Sequence, residues 1–190
     1  MIYLVEIPME TIRMVEDIFQ QGDSRYEDFD SALMVATFLE REAIIIKKEI
    51  ITDIEVTDKE MRGVTQPQED YKVIARRLFE ERGYMFRGYE VFINGGRTDI
   101  RAINSDNNEI LAIECCACRF TKVFEYLEVD NLIFWVLSQA EKDEFPVKEL
   151  PLYIIARGPN WNEYFNLYKK YRLERIRGKK TPLDRLEENK

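Results

Sequence analysis

The sequence contains no histidine, and its three cysteines lie together at positions 115, 116 and 118. Four zinc ligands are hard to assemble from such a set, so a structural zinc site is not expected. Cysteines this close together do not form an ordinary disulfide, and no distant cysteine is present to pair with them. We therefore expect packing cysteines in a reducing, cytoplasmic compartment.

Long apolar runs are also missing. No stretch of about 18 apolar residues occurs, so neither a transmembrane helix nor a membrane partner is expected. The first residues have no basic segment ahead of an apolar one, so no signal peptide is predicted. The glycines at 95 and 96 are not followed by Gly-Lys-Ser/Thr, which argues against a phosphate-binding loop. What remains is the composition of an ordinary soluble protein of 190 residues, 45% hydrophobic and 34% charged.

The excess of negative charge lies in the first third of the chain. Residues 1–65 carry 7 Lys and Arg against 15 Asp and Glu, whereas residues 66–190 carry 21 of each. The segment 169–190 has 9 basic and 4 acidic residues, so it is locally positive. Nucleic acid would be attracted to the C-terminal part and repelled by the N-terminal part. A solvated helix end with a charged tail accounts for the same pattern.

The N-terminal pattern predicts an acidic, mainly helical domain over residues 1–60. Residues 2–7 alternate as a strand, and helices are predicted over 9–20 and 26–42. Residues 43–56 are rich in β-branched residues and fit either a strand or a continuation of the second helix. Residues 57–68 have weak periodicity and contain a glycine and a proline, which indicates a linker or loop.

The rest of the chain is predicted to be an α/β domain over 66–178 with a charged tail over 179–190. Aromatic residues with helical spacing near the end favour a core-facing stripe over a base-stacking surface. The order α-β-β-β-α-β-α indicates a mixed sheet flanked by helices. The predicted helices are 68–82, 122–142 and 161–175, and the predicted strands are 84–93, 99–104, 110–116 and 152–157.

Two acidic residues are candidate metal ligands. Asp99 follows a glycine-containing turn, and Glu114 ends an apolar run. The Ser-Asp-Asn-Asn segment at 105–108 has hairpin-turn chemistry, so the two acids are expected on adjacent strands. Carboxylates aimed at one point suit a hard cation such as Mg²⁺ or Mn²⁺, with the carbonyl of Cys115 as a third ligand.

The same acids also have a purely structural explanation. Asp99 would then be a turn residue, and Glu114 would pair with an arginine such as Arg97 or Arg101. A carboxylate at the end of a buried strand is costly without a partner or a metal, so burial alone does not decide between them.

The order of elements, together with these acids, resembles the core of the PD-(D/E)XK nuclease superfamily, which includes restriction endonucleases and archaeal Holliday-junction resolvases. The resemblance covers about residues 66–172. It rests on a leading helix ending in Glu-Arg-Gly-Tyr, a Gly-Gly-Arg-Thr-Asp turn, and Ala-Ile-Glu on the third strand. It implies a restriction-endonuclease-like fold, metal-dependent cleavage of DNA, and Asp99 and Glu114 as catalytic metal ligands.

The lysine that this resemblance implies is missing. It would fall on Cys116, whose thiol supplies neither the charge nor the donors of an ammonium group. A lysine placed at this position is expected to point at the same water. Lys122, at the start of the next predicted helix, could reach the site from another direction and take the catalytic role. The acid of the family's first helix would fall on Glu69 or Glu80.

Residues 1–45 also resemble a ribbon-helix-helix module, through a strand ending in Glu-Ile-Pro, a Gly-containing turn, and Tyr-Glu-Asp-Phe entering the second helix. Such modules dimerise through the strand and read DNA with its side chains. The strand here offers only Tyr3 and Glu6 as polar groups inside an acidic segment, so dimerisation is expected rather than DNA reading. An ordinary helical extension is the alternative.

Three functions follow from these patterns. The leading expectation is a homodimeric, metal-dependent nuclease that acts on DNA. The competing one is a catalytically degenerate relative with a nucleic-acid-binding or assembly role, favoured by Cys116 and the acidic N-terminal segment. A ribbon-helix-helix regulator with an accessory domain is the third, and its acidic charge disfavours it.

Overall fold

The computed structural model describes residues 6–19, 29–52, 54, 67–138 and 149–176. The strands among them form one mixed sheet of six strands, in the order β1-β6-β5-β4-β3-β2. The prediction of a mixed α/β sheet flanked by helices is confirmed. The elements are α1 (Met9–Phe19), α2 (Phe29–Glu40), β1 (Ile44–Ile51), α3 (Pro67–Glu81), β2 (Tyr84–Ile93), β3 (Gly96–Asn104), β4 (Ile110–Cys115), α4 (Thr121–Leu127), β5 (Leu132–Leu137), β6 (Leu150–Arg157) and α5 (Trp161–Ile176).

One half of the sheet is an antiparallel meander followed by a parallel crossover. β2, β3 and β4 pair antiparallel, and β5 pairs parallel with β4 after the chain has passed through α4. The turn between β2 and β3 has Asn94 at φ 46° and Gly95 at φ 88°, the left-handed backbone that a tight hairpin needs. β6 pairs antiparallel with both β5 and β1.

Helices cover both faces of the sheet. Leu111 and Ile113 of β4 belong to the core that α3 covers, whereas Ala112 between them belongs to the core shared by α1, α2, α4 and α5. This alternation is the two-residue period of a strand buried on both sides. The predicted core-facing stripe of α5 is confirmed, because Trp161 and Phe165 are buried in the core shared by α1, α2, α4 and α5.

The helix predicted over residues 122–142 is wrong. α4 ends at Leu127, and the chain forms β5 from Leu132. Five of the six residues of β5 are buried, so this interior strand reads as a continuous apolar run without alternation. Asn131, with φ 54°, supplies the left-handed turn that precedes β5.

The described part of the predicted N-terminal domain shares its sheet and its core with the rest of the chain. α1 and α2 agree with the two predicted helices, and residues 44–51 form a strand that pairs with β6 along its whole length. The predicted strand 2–7 lies mostly outside the described residues, as does the linker 57–68, and the tail 179–190 lies wholly outside them. The separate domain and the ribbon-helix-helix resemblance stay predictions.

Candidate functional site

Asp99 and Glu114 lie close together on the neighbouring strands β3 and β4. The last pair of the regular ladder at this end is Ile100 opposite Ile113, and Asp99 and Glu114 are the next residues on the two strands. The charge of Asp99 acts to raise the pKa of Glu114, as expected for neighbouring carboxylates. The regular ladder ends here, and Asp99 Oδ2 accepts a hydrogen bond from the backbone N–H of Cys115 at 2.7 Å. Asp99 is therefore a strand residue rather than a turn residue.

Lys122 is the direct partner of Glu114. Its Nζ lies 2.6 Å from Glu114 Oε2 and donates a second hydrogen bond to the carbonyl of Arg97 at 2.9 Å. The other carboxylate oxygen, Oε1, accepts a hydrogen bond from the hydroxyl of Tyr126 at 2.7 Å. Lys122 and Tyr126 are four residues apart on α4, so one helix face binds both oxygens of the acid. Glu114 thus pairs with a lysine, and not with Arg97 or Arg101.

A glycine allows α4 to lie this close to the hairpin. A Cβ atom at Gly96 would stand 2.6 Å from Glu125 Oε2 and 2.9 Å from a ring carbon of Tyr126. The packing of α4 on β3, and with it the position of Lys122, therefore depends on the missing side chain. Asn94 Nδ2 donates to the carbonyl of Glu125 at 2.9 Å, which ties the turn before β3 to the same helix.

Burial changes the proton affinity of both acids. Glu114 is only 2% exposed, and burial raises its pKa to about 7, with the charge of Lys122 opposing the shift and that of Asp99 adding to it. Burial also raises the pKa of Asp99, against the hydrogen bond from Cys115 and the charge of Lys122. A cation held near both carboxylates would stabilise their ionised forms.

The backbone at position 116 turns its side chain away from the acids. Cys116 has φ 73°, which breaks the alternation of β4 after Cys115. Both cysteines belong to the buried cluster on the α3 face of the sheet, whereas Glu114 faces α4. The expectation that a lysine at 116 would point at the same water stays a prediction, and the position of Cys116 argues against it, because a longer side chain there would enter the apolar core.

A second group of charges adjoins the acids. Lys72 Nζ lies 2.9 Å from Glu90 Oε1, and Glu90 Oε2 accepts a hydrogen bond from Arg97 Nε at 2.6 Å. The hydrogen bond from Lys72 lowers the pKa of Glu90, and the charge of Lys72 also acts to lower the pKa of Asp99. Sequence reasoning missed Lys72 and Glu90 because neither belongs to a motif, and it considered Arg97 only as a partner of Glu114.

The donor set fits a divalent cation that keeps most of its water. Mg²⁺ typically binds one or two carboxylates together with water, and each oxygen of Asp99 and Glu114 can accept more than one contact. Within the described ranges, no group of three or more His, Cys, Asp or Glu side chains is arranged to hold a metal ion. Burial raises the pKa of the Cys115 thiol well above its ordinary value, so its carbonyl, and not its sulfur, remains the predicted third ligand.

Two further features lie apart from the acids. Glu80, one candidate for the first-helix acid, pairs with Arg76 at 2.8 Å in an exposed ion pair, and the side chain of Glu69 lies outside the described part of the chain. A groove of about 490 Å³ lies between α4, α5 and the turn before β3, and its lining includes Phe124 and Tyr168 but neither acid. The candidate site is therefore defined by the charged side chains rather than by this groove.

Folding stability is expected to fall as the pH rises from about 4.5 to 7 on account of Glu114. Its pKa is about 7 in the folded protein against an ordinary 4.5, so the folded state holds the extra proton within this interval. Glu114→Gln keeps an acceptor for Tyr126 but does not titrate, so it should remove about 1–3 kcal/mol of this pH-dependent loss. Urea unfolding of both proteins in chelator at several pH values measures the difference, and parallel pH profiles would contradict the expectation.

The chain matches no protein-family model, no curated protein and no solved structure. None of the helices in the described ranges is long and apolar enough to cross a membrane. What can be proposed about function therefore depends on the geometry and charge of the residues described above.

Proposed function

We propose that this protein hydrolyses phosphodiester bonds in DNA with Mg²⁺ or Mn²⁺, through a site of the PD-(D/E)XK type. The observation that carries the proposal is the contact of Lys122 Nζ with Glu114 Oε2 at 2.6 Å, beside Asp99. Two acids and a lysine are the side chains that the resemblance requires, although the lysine here belongs to α4 and not to β4. The element order α3-β2-β3-β4-α4-β5 also supports the proposal.

Each residue has a definite task in this reaction. Asp99 and Glu114 would hold the cation, which would supply Lewis acidity and lower the pKa of a water molecule bound to it. Lys122 is fixed by Glu114 and by the carbonyl of Arg97, and its ammonium donates a hydrogen bond to the attacking water or to a phosphate oxygen. Tyr126 holds the carboxylate of Glu114 in one orientation.

The competing proposal is a non-cleaving relative that binds nucleic acid or serves as an assembly subunit. It is favoured by the balance of charge within the site, where three cationic and three acidic side chains already face one another. They are Lys72, Arg97, Lys122, Glu90, Asp99 and Glu114. Lys122 would then neutralise Glu114 permanently, and no metal would be needed. The homodimer and the cytoplasmic location stay predictions.

Metal binding tests the site on which the cleavage proposal depends. Mn²⁺ should raise the unfolding temperature of the parent protein, because a ligand bound only by the folded state stabilises it by mass action. Asp99→Asn should abolish most of this gain, since the amide keeps an acceptor for the N–H of Cys115 but loses the charge. Asp130→Asn is the matched control, because Asp130 is exposed and pairs with Arg157. If scanning calorimetry shows that Mn²⁺ raises the unfolding temperature of Asp99→Asn and of the parent equally, the proposed metal site is wrong.

A further inference from the structure

The charged group beside the acids has an irregular backbone and a buried lysine, and neither feature is needed to hold a metal. Its members are Lys72, Glu90 and Arg97. β2 shifts its register between Phe86 and Gly88, and Glu90 has φ 54°, which is uncommon for a residue other than glycine. A bulge of this kind re-aims the side chains near it, and here Glu90 lies between two cations. Lys72 is only 8% exposed, and burying an ammonium is costly without partners. Strained backbone and buried charge of this kind are typical of binding sites.

We propose that Lys72 and Arg97 form a phosphate-binding subsite beside Asp99, which the carboxylate of Glu90 fills until a phosphate displaces it. The proposal rests on the proposed function. Glu90 meets the two cations through different oxygens, Oε1 at 2.9 Å from Lys72 and Oε2 at 2.6 Å from Arg97. A phosphodiester also presents two anionic oxygens, and guanidinium binds carboxylate and phosphate with the same fork of donors.

Arg97 connects this subsite to the candidate catalytic residues. Its carbonyl accepts the hydrogen bond from Lys122, and it lies two residues before Asp99 on β3, on the same side of the strand. Its side chain is 59% exposed, whereas that of Lys72 is 11% exposed. Arg97 can therefore meet a phosphate from solvent, and Lys72 forms the fixed inner end of the subsite. The phosphate held there is one that flanks the scissile bond of the bound strand.

The subsite predicts opposite effects for its arginine and its acid. Arg97→Gln should weaken binding of a fluorescein-labelled DNA duplex in EDTA and reduce the slope of log K against log salt by about 0.9, as for one lost phosphate contact. Glu90→Gln should tighten binding several-fold, because the competing carboxylate is lost and the amide keeps its shape. Arg76→Gln removes an arginine of comparable exposure from α3 and should leave both quantities unchanged.

Fluorescence anisotropy titrations over a range of salt concentrations decide the matter. If Glu90 only neutralises Lys72, then Glu90→Gln weakens binding and lowers the unfolding temperature, which overturns the proposal. Equal losses for Arg97→Gln and Arg76→Gln overturn it, and so does a parent that does not bind the duplex in EDTA.

The source of the phosphate is tested with inorganic phosphate in a thermal-shift assay. Stabilisation of Glu90→Gln above that of the parent, without tighter duplex binding, would assign the subsite to free phosphate and overturn its place on DNA. Tighter duplex binding by Glu90→Gln supports the subsite as proposed. These assays contain no metal, so their results do not depend on cleavage. The subsite could therefore be confirmed in a protein that does not cleave DNA, and it could be disproved in a protein that does.

Discussion

Lys122→Met is expected to lower the rate of metal-dependent DNA cleavage about 10²–10⁴-fold, which is the usual contribution of one positioned acid–base group. The substitution keeps the unbranched stem and removes the ammonium that contacts Glu114 and the carbonyl of Arg97. Affinity for Mn²⁺ and for duplex DNA should be largely retained, because both acids and the other cations remain. Nicking of supercoiled plasmid in Mn²⁺ under single-turnover conditions measures the effect.

Two further substitutions separate catalysis from charge neutralisation. Lys122→Arg keeps the positive charge beside Glu114, but the planar guanidinium cannot place a donor where the compact ammonium lies, so cleavage should stay low. Lys47→Met removes an exposed lysine that pairs with Glu49 on β1, and it should cleave like the parent. A parent that cleaves well and is indifferent to Lys122→Met would contradict the role of Lys122. A parent that binds Mn²⁺ but is inert on plasmid, branched DNA and RNA would count against any nuclease.

Local signals were sufficient to predict the elements whose ends are marked in the sequence. β2 has its predicted bounds, and α3 differs from its prediction by one residue at each end, with Gly83 at φ 83° after the helix. β5 was missed because a strand buried on both faces has no alternation, and its pairing with β4 and β6 is a long-range property. β1 was ambiguous because its pairing is also a long-range property: its partner β6 lies far along the chain.

Half of the candidate site was open to sequence reasoning. A short hairpin turn fixes the register of its strands, so the placement of Asp99 beside Glu114 followed from local chemistry. Lys122 reaches them only because α4 folds back over the hairpin, which is a tertiary contact. Lys72 looks in sequence like any solvated helix lysine, and Glu90 reaches it through the irregular part of β2. A glycine inside a strand pattern, here Gly88, is the signal that would have indicated the bulge.

Cys116→Lys is expected to destabilise the protein by about 2–4 kcal/mol and to leave cleavage unimproved. Cys116 is 8% exposed and packs in the cluster on the α3 face that also contains Tyr71 and Cys115. A lysine there would bring its ammonium into an apolar core. Glu114 offers it no partner, because this acid faces α4 and is held there by Lys122 and Tyr126.

Cys116→Met is the matched control for this substitution, because its side chain also enlarges position 116 but carries no charge. Both variants place a longer side chain on the same left-handed backbone, so strain at φ 73° cancels when they are compared. Urea unfolding should show a clearly smaller loss for Cys116→Met, since Met adapts to irregular apolar space. Equal losses would mean that volume and not charge limits this position.

Plasmid nicking with Cys116→Lys in the Lys122→Met background then tests whether position 116 can reach the acids. Recovery of cleavage would contradict the inward orientation of this side chain and return the catalytic lysine to the end of β4. If the parent cleaves and this double variant does not, α4 is the element that supplies the lysine. The catalytic ammonium would then come from α4, and not from the end of β4 as in the superfamily pattern. It would still lie beside Glu114.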